Sequence, residues 1–154
     1  MVIVPEGNLC KCGKRGCLEA YASGTALADY AASRLRKGVR SKLFSMIRSG
    51  EPLSARLIGK AARAGDQLAL ETYERGGYYL GVGIASLLHI LNPEKIIFGG
   101  GVFNSAPSLF WKSMMKSVRV HAWPEVFQAV RMTRSKLKGH AGALALVFQS
   151  LKGY

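Results

Sequence analysis

The sequence contains no apolar run long enough to span a lipid bilayer. Its opening residues, Met-Val-Ile-Val-Pro-Glu, form an apolar stretch that is too short and too soon interrupted for a secretory signal peptide. Cysteine is scarce, and the total of three is an odd number that does not suit a framework of disulfides. These absences predict a soluble, cytoplasmic protein in a reducing compartment, without a membrane partner.

Acidic residues are also few, with 9 Asp and Glu against 22 Lys and Arg, which gives a net charge of +13. Such a balance suits polyanions in general. Neither a helix-turn-helix pattern nor a patch of interleaved aromatic and basic residues is present. We interpret the excess as a solvated basic face, or as the counterpart of an acidic region elsewhere, and do not expect a nucleic-acid partner. Five of the basic residues cluster in one short stretch: Arg34, Arg36, Lys37, Arg40 and Lys42.

The sequence has no Gly-x4-Gly-Lys-Ser/Thr motif, which excludes the common P-loop. Aspartate is nearly absent, because Asp29 and Asp66 are the only two in the chain. Asp29 falls inside a predicted helix and Asp66 falls at the start of another, so a structural role explains each of them.

The stretch from Cys10 to Glu19 is where the three cysteines occur, in the pattern Cys-x-Cys-x4-Cys. Glycines at 13 and 16 permit the tight turn that would bring the thiols together, and the basic residues at 14 and 15 favour thiolates. Cys10, Cys12 and Cys17 therefore predict three ligands of a zinc ion, which prefers four. The alternative is a disulfide with one spare thiol, and the fourth zinc ligand is not apparent from the residues.

Hydrophobic periodicity and capping residues predict a helix-rich chain. Val2 to Val4 resemble the end of a strand, and Thr25, Ser54 and Asp66 are predicted helix caps. Expected helices cover about 18–23, 25–37, 41–49, 54–65, 66–91, 105–117 and 139–151, and expected strands cover 95–98 and 126–134.

The longest predicted helix, 66–91, carries glycines at 76, 77, 81 and 83. Each glycine weakens a helix by about 1 kcal/mol relative to alanine. They are explained if a neighbouring element packs very closely there, and the alternative is a less stable helix. His89, near the end of this helix, is interpreted as a packed or helix-end residue rather than a ligand.

A buried strand at 95–98 leads directly into Gly99, Gly100 and Gly101. A strand, a glycine turn and a following helix form a unit whose backbone amides can face a phosphate or a nucleoside. A lone triple glycine is weak evidence, since many tight turns need glycine for their geometry alone.

Two blocks of the sequence resemble the ROK family of sugar kinases and sugar-responsive repressors. The first is the cysteine motif continued by Gly-Cys-Leu-Glu-Ala-Tyr-Ala-Ser-Gly-Thr-Ala-Leu, and the second is Leu-Asn-Pro-Glu-Lys-Ile-Ile-Phe-Gly-Gly-Gly-Val. The resemblance implies an α/β fold that is part of an actin-like, ribonuclease-H-like ATPase lobe, helix-rich, with a zinc-binding loop at 8–19 and an incomplete sheet. Residues 1–154 would be a single domain, the C-terminal half of a ROK protein.

The resemblance also implies roles for particular residues. Glu19 matches the glutamate that hydrogen-bonds sugar hydroxyls, Gly99 to Gly101 match the turn against the nucleotide, and the three cysteines match ligands of a structural zinc. The complete enzyme would use ATP and Mg²⁺ to phosphorylate a hexose, most commonly glucose. In this family the catalytic base is an Asp in an Asn-Asp pair, and an Asp-x-Gly-x-Thr loop holds the phosphates; this sequence has neither motif.

We therefore expect the C-terminal fragment of a glucokinase-like enzyme that is inactive alone. The alternatives are the sugar-binding half of a ROK repressor and a small basic zinc module that binds nucleic acid. In the family the fourth zinc ligand is a His just upstream of the position of residue 1, so truncation is expected; His121 and His140 are not favoured as replacements. Missing strands would leave an unpaired sheet edge, which predicts a homo-oligomer.

Overall fold

The computed structural model describes residues 1–135 as a helix-rich α/β arrangement. Within this range, the elements run in chain order as α1 (Glu19–Ala22), α2 (Gly24–Arg36), α3 (Lys42–Arg48), α4 (Ala55–Arg63), α5 (Gln67–Leu91), β1 (Lys95–Phe98), α6 (Gly101–Ser105), α7 (Pro107–His121), α8 (Pro124–Ala129) and β2 (Arg131–Arg134). The predicted final helix at 139–151 lies outside the described residues. No helix within 1–135 is both long and apolar enough to cross a membrane.

Polar side chains begin four of these helices by accepting a hydrogen bond from a first-turn amide, which satisfies a donor that the helix itself cannot. Ser54 and Asp66 do this for α4 and α5, as expected, and Ser41 does it for α3. The cap of α2 was predicted wrongly. Ser23, not Thr25, is extended and accepts from the Ala26 amide at 3.1 Å, because Gly24 is tolerated as the first helical residue.

The long helix α5 packs along α7 at very short range, as its glycines predict. At Gly77, an added Cβ would lie 2.8 Å from Ser113 Cβ, and at Gly81 it would lie 2.7 Å from the Met114 carbonyl oxygen. Serine hydroxyls of α7 cross the contact, with Ser113 donating to the Glu74 carbonyl at 2.6 Å and Ser117 donating to the Tyr78 carbonyl at 2.7 Å. Close packing, not a weakened helix, explains these glycines.

The described sheet has two parallel strands, β1 and β2, paired from Lys95 with Arg131 to Phe98 with Arg134. The predicted strand at 126–134 is correct only in its second half. Residues up to Ala129 form α8, because Pro124 occupies its first helical position and Glu125 favours the first turn. The predicted strand at Val2–Val4 is also wrong, since Val2 makes only an isolated bridge with Cys17.

The helix predicted at 105–117 corresponds to α7, and it is preceded by a short helix, α6, that was not predicted. They meet near Ala106, whose backbone is not helical, and α7 continues to His121. Phe103 of α6 and Phe110 of α7 contact edge to face at 5.0 Å, so α6 is fixed against the α5–α7 pair. The glycine turn after β1 is therefore anchored from both of its ends.

We expect Gly81→Ala to lower the free energy of unfolding by about 1–2 kcal/mol. Overpacking costs about 2–3 kcal/mol here, the upper part of its usual range, because the added Cβ would meet the α7 backbone, and the gain in helix propensity offsets about 1 kcal/mol of it. Gly24→Ala is the control, because its Cβ would meet neighbouring atoms only at 3.6 Å. In urea titrations, the free energy of unfolding of this control variant should lie within about 0.5 kcal/mol of that of the parent chain. Equal effects of the two changes would contradict the close-packing explanation.

Candidate functional site: a cysteine loop beside a glycine-lined cleft

The chain from Met1 to Glu19 folds back on itself. Its residues 8–19 are called here the cysteine loop. Two antiparallel bridges, Val2 with Cys17 and Leu9 with Arg15, hold its sides together. The Gly16 amide donates to the Asn8 carbonyl at 2.9 Å. The three cysteines are thereby placed at one end of a hydrogen-bonded turn.

Glycine is required at two turns of this loop, as the sequence predicts. Gly13 and Gly16 have φ of +81° and +75°, which side chains other than glycine rarely adopt. Gly13 faces open space, whereas a Cβ on Gly16 would overlap the Val4 carbonyl oxygen. The Gly16 carbonyl also accepts from the Ile3 amide at 2.8 Å, so the first residues press directly against this turn.

Tyr21 of α1 anchors the other side of the loop, a role that sequence reasoning missed. Its hydroxyl accepts a hydrogen bond from the Asn8 amide at 2.7 Å, and a Cβ on Gly7 would overlap that hydroxyl. Arg75 of α5 lies 5.5 Å from the Tyr21 ring centre, which adds a cation–π contact. No sequence spacing connects Tyr21 with Asn8, so only the folded chain reveals the contact.

The three cysteine sulfurs converge, with all of them within 4.8 Å of one another. The Sγ atoms of Cys12 and Cys17 are 3.6 Å apart, and no disulfide joins the three thiols. Thiolates arranged tetrahedrally around zinc at about 2.3 Å would be about 3.8 Å apart. Cys10, Cys12 and Cys17 could therefore hold a metal ion with small side-chain adjustments, as their spacing predicts.

The pKa values of Cys12 and Cys17 are shifted in opposite directions within the cluster. The Lys14 backbone amide, helped by the neighbouring thiols, lowers the pKa of Cys12. The hydrogen bond between Cys17 and Cys12, together with desolvation, raises the pKa of Cys17 to about 11. Like-charge repulsion disfavours several thiolates at such short distances, and a bound cation would stabilise them by neutralising their charge.

Within residues 1–135, the metal-holding group contains only these three side chains. His121 is engaged elsewhere, with Nδ1 at 2.8 Å from the Ser117 carbonyl and Nε2 at 3.4 Å from the Tyr78 hydroxyl. His89 accepts from the Trp123 amide at 3.1 Å, which confirms its helix-end role. His140 lies outside the described residues.

Glu19 begins α1, two residues after Cys17, and its side chain is exposed. The ion pairs within residues 1–135 are Arg34–Glu71 and Lys60–Glu51, so no described cation neutralises Glu19. Glu19 lines two adjacent cavities, with volumes of about 440 Å³ and about 750 Å³. Glu19 thus lies on a wall that both cavities share.

The smaller cavity, called here the glycine cleft, has Glu19 and the three glycines Gly99, Gly100 and Gly101 among its lining residues. Gly100 has a φ of +113°, and no neighbouring atom lies within 4 Å of where a Cβ would be on Gly100 or Gly101. At these glycines no side chain of their own or of a neighbour covers the backbone, so a ligand can approach the turn closely. The structure places the two groups of predicted ligand-binding residues around one cavity.

The larger cavity lies between the cysteine loop, α2 and α5, and of its lining residues only Cys10 and Glu19 were identified from the sequence as site residues. Arg75 is central to it, within 4.8 Å of the ring centres of both Tyr30 and Tyr79. The Tyr30 hydroxyl donates to Glu71, and burial followed by this hydrogen bond raises the pKa of Tyr30. The cavity is lined by charged residues of both signs together with apolar surface.

The two aspartates have the structural positions that their sequence contexts predict. Asp29 lies within α2 on the exposed side. Asp66 is buried and accepts from the amides of Ala69 and Lys42 and from the Ser41 hydroxyl, at 2.7–3.0 Å. Neither lines the glycine cleft.

Comparison with known proteins gives one consistent result. The model of the ROK family matches residues 1–150. A glucokinase of Halalkalibacterium halodurans is 35% identical over 94% of this chain and 44% of its own length, and the DNA-binding transcriptional repressor Mlc of Escherichia coli is 32% identical over 93% of this chain and 34% of its own. The chain thus spans less than half the length of these curated relatives.

Among solved structures, a ROK family glucokinase from Streptomyces griseus in complex with glucose and AMPPNP superposes with a TM-score of 0.82. It is 30% identical, and the match covers 99% of this chain and 50% of that one. The helix-rich α/β arrangement is therefore the one found in ROK proteins.

We expect Gly16→Ala to open the cysteine loop. Positive φ and overlap with Val4 together cost about 3 kcal/mol or more, whereas Gly13→Ala, with the same positive φ but open space, costs about 1 kcal/mol. Thiol labelling with a chromogenic disulfide reagent measures the result. Cys10 and Cys17, both 8% exposed, should react slowly in the parent and in Gly13→Ala, and quickly in Gly16→Ala. Slow labelling in both variants would contradict the role given to Gly16.

Proposed function

Because the chain belongs to the ROK family, we propose that it is the C-terminal half of an ATP-dependent hexose kinase of the glucokinase type. The observation that carries this proposal is the glycine cleft, where Glu19 and the glycines Gly99, Gly100 and Gly101 line one cavity. Phosphoryl transfer needs a sugar hydroxyl and a nucleotide in one space, and this cleft provides a candidate group for each. Residues 1–154 would act as a single domain.

Glu19 would bind the hexose by accepting hydrogen bonds from its hydroxyls. It suits that role because it is exposed and no described cation occupies it. Its position at the first residue of α1 fixes its backbone, so the carboxylate is held on a rigid element rather than on a loose loop. Charge-assisted hydrogen bonds of this kind contribute about 1.5–3 kcal/mol each.

Gly99 to Gly101 would lie against the nucleotide. Three consecutive residues without a Cβ let a phosphate or a ribose approach the backbone amides directly. The turn is held by β1 before it and by α6 after it, so it does not need a ligand to order it. ATP with Mg²⁺ would be the phosphoryl donor in the complete enzyme.

The cysteine loop would bind a structural zinc through Cys10, Cys12 and Cys17. When bound, the ion supplies a fixed crosslink and no chemistry on the substrate. Cys17 is two residues from Glu19, so fixing its sulfur also restricts where α1 can begin. The cluster would thus position the sugar-binding carboxylate from outside the cleft.

The chain lacks the groups that would complete the reaction. No aspartate lines the glycine cleft, and neither an Asn-Asp pair nor an Asp-x-Gly-x-Thr loop occurs in the sequence. A carboxylate must accept the hydroxyl proton in this chemistry, and Glu19, the one carboxylate among the described lining residues of the cleft, is assigned here to binding the sugar. We infer that these 154 residues bind ligands without turning them over.

A homo-oligomeric state, expected from an unpaired sheet edge, stays part of the proposal.

The second candidate is the sugar-binding half of a ROK repressor, which the similarity to the repressor Mlc keeps open. Both candidates need sugar binding at Glu19. They differ at the glycine turn, because only the kinase needs a nucleotide there. Binding of AMPPNP therefore discriminates between them.

We expect the reduced chain to bind one zinc ion, and Cys17→Ser to weaken zinc binding by about tenfold or more through loss of a ligand. Lys11→Ser is the control, since it changes an exposed residue between two of the cysteines. Competition with a chromogenic chelator measures both affinities. Unchanged affinity in Cys17→Ser, or an equal loss in Lys11→Ser, would contradict binding at the three thiols.

We expect Glu19→Gln to weaken glucose binding by about tenfold, because the carboxylate loses its charge while keeping its shape. Glu74→Gln removes the same charge from an exposed position outside both cavities and should bind glucose like the parent. Isothermal titration calorimetry is the measurement. Gly101→Val, which adds a side chain where space is open, should weaken AMPPNP binding alone.

A coupled assay with ATP and glucose completes this test. Binding of both ligands with no turnover is the expected result. Turnover proportional to protein concentration would show that the chain holds its own catalytic base. Glucose binding without AMPPNP binding would favour the repressor candidate, and binding of neither would overturn the proposed site.

A further inference from the structure

The cysteine cluster has a second chemistry besides metal binding. We propose that Cys12 and Cys17 form a reversible disulfide, so that the loop has an oxidised state that cannot hold the metal. The pairing rests on the geometry of the thiols, whereas any effect of the disulfide on sugar binding rests on the function proposed above for Glu19.

The sulfurs of Cys12 and Cys17 are 3.6 Å apart and make a hydrogen bond, and all three sulfurs lie within 4.8 Å of one another. This contact, together with the exposure of Cys12, favours the pair of Cys12 and Cys17. A disulfide bond is about 2.05 Å long, so the two sulfurs must close about 1.6 Å. Side-chain rotation at one residue can supply most of this movement.

Cys12 is the thiol that is free to move and to meet an oxidant. It is exposed at the tip of the turn, and the adjoining Gly13 has no atom within 4 Å of where its Cβ would be. Cys17 is buried and fixed by its bridge to Val2. Cys10 is buried too, and its amide donates to the Lys14 carbonyl at 2.8 Å. One exposed, movable thiol therefore faces one fixed partner.

The oxidant would be a hydroperoxide. The Cys12 sulfur attacks the peroxide, which breaks the O–O bond, releases water or an alcohol and leaves a sulfenic acid on Cys12. The Cys17 thiol then displaces the hydroxyl of that sulfenic acid, forming the S–S bond and releasing water. Two thiols and one hydroperoxide thus give one disulfide, and a dithiol reductant reverses the reaction by exchange.

The disulfide and the metal exclude each other, because the disulfide uses two of the three ligand sulfurs. Cys10 alone cannot replace them, and no further ligand belongs to the group within residues 1–135. Oxidation would therefore release the ion, and bound ion would protect the thiols by mass action. Cys17, which takes part in both the disulfide and the metal site, lies two residues before Glu19, the first residue of α1.

Peptide mapping of the peroxide-treated, metal-free chain tests the pairing. After one equivalent of hydrogen peroxide, the folded chain should contain a Cys12–Cys17 disulfide with Cys10 alkylatable, and dithiothreitol should restore three free thiols. The same chain oxidised in denaturant is the reference and should give mixed pairings. Zinc at one equivalent should slow formation of the disulfide by about tenfold or more.

Single substitutions sharpen the test. Cys10→Ser should oxidise to the intramolecular disulfide at close to the parental rate. Cys12→Ser should form the remaining Cys10–Cys17 disulfide at least tenfold more slowly. A Cys10–Cys17 disulfide in the parent, pairing identical to that of the denatured chain, or direct conversion to sulfinic acid would overturn the proposal. These readouts do not depend on sugar binding, so they separate this inference from the proposed kinase function.

Discussion

The absence of a side chain at Gly16 is the constraint on which the site depends. The Val4 carbonyl occupies the space where a Cβ would be, and the first residues hydrogen-bond to the Gly16 carbonyl. This contact fixes the segment that leads through Cys17 into α1. The positions of one cluster sulfur and of the Glu19 carboxylate both follow from it.

The long helix α5 packs against both groups of elements that carry the lining residues of the glycine cleft. One part of its surface accepts α1 and α2, where a Cβ on Gly83 would lie 2.9 Å from Leu18 and one on Gly76 would lie 2.5 Å from Leu27. Another part accepts α7 through Gly77 and Gly81. Because the glycine turn is tied to α7 through α6, the same helix positions both the residue proposed to bind the sugar and the residues proposed to bind the nucleotide.

Local patterns predicted most of the elements, because each has a cause within a few residues. Asp66 caps α5, and the apolar run at Lys95–Phe98 is a strand, although the prediction that it is buried is wrong, because Lys95 and Ile97 are exposed. The errors arose where local signals competed. Residues 126–129 alternate like a strand, yet Pro124 starts a helix there, and Ser23 outcompetes Thr25 as a cap. The convergence of the cysteines followed from their spacing, while the Tyr21 anchor depends on packing between distant residues.

The shared wall at Glu19 has an electrostatic consequence. One carboxylate borders both the glycine cleft and the larger cavity beside Arg75. At such short range, its charge interacts with any polar or ionic molecule in either space. If a ligand in one cavity turns the carboxylate toward itself, the carboxylate is no longer available to a ligand in the other, so the two cavities would be coupled, with the same coupling free energy in both directions.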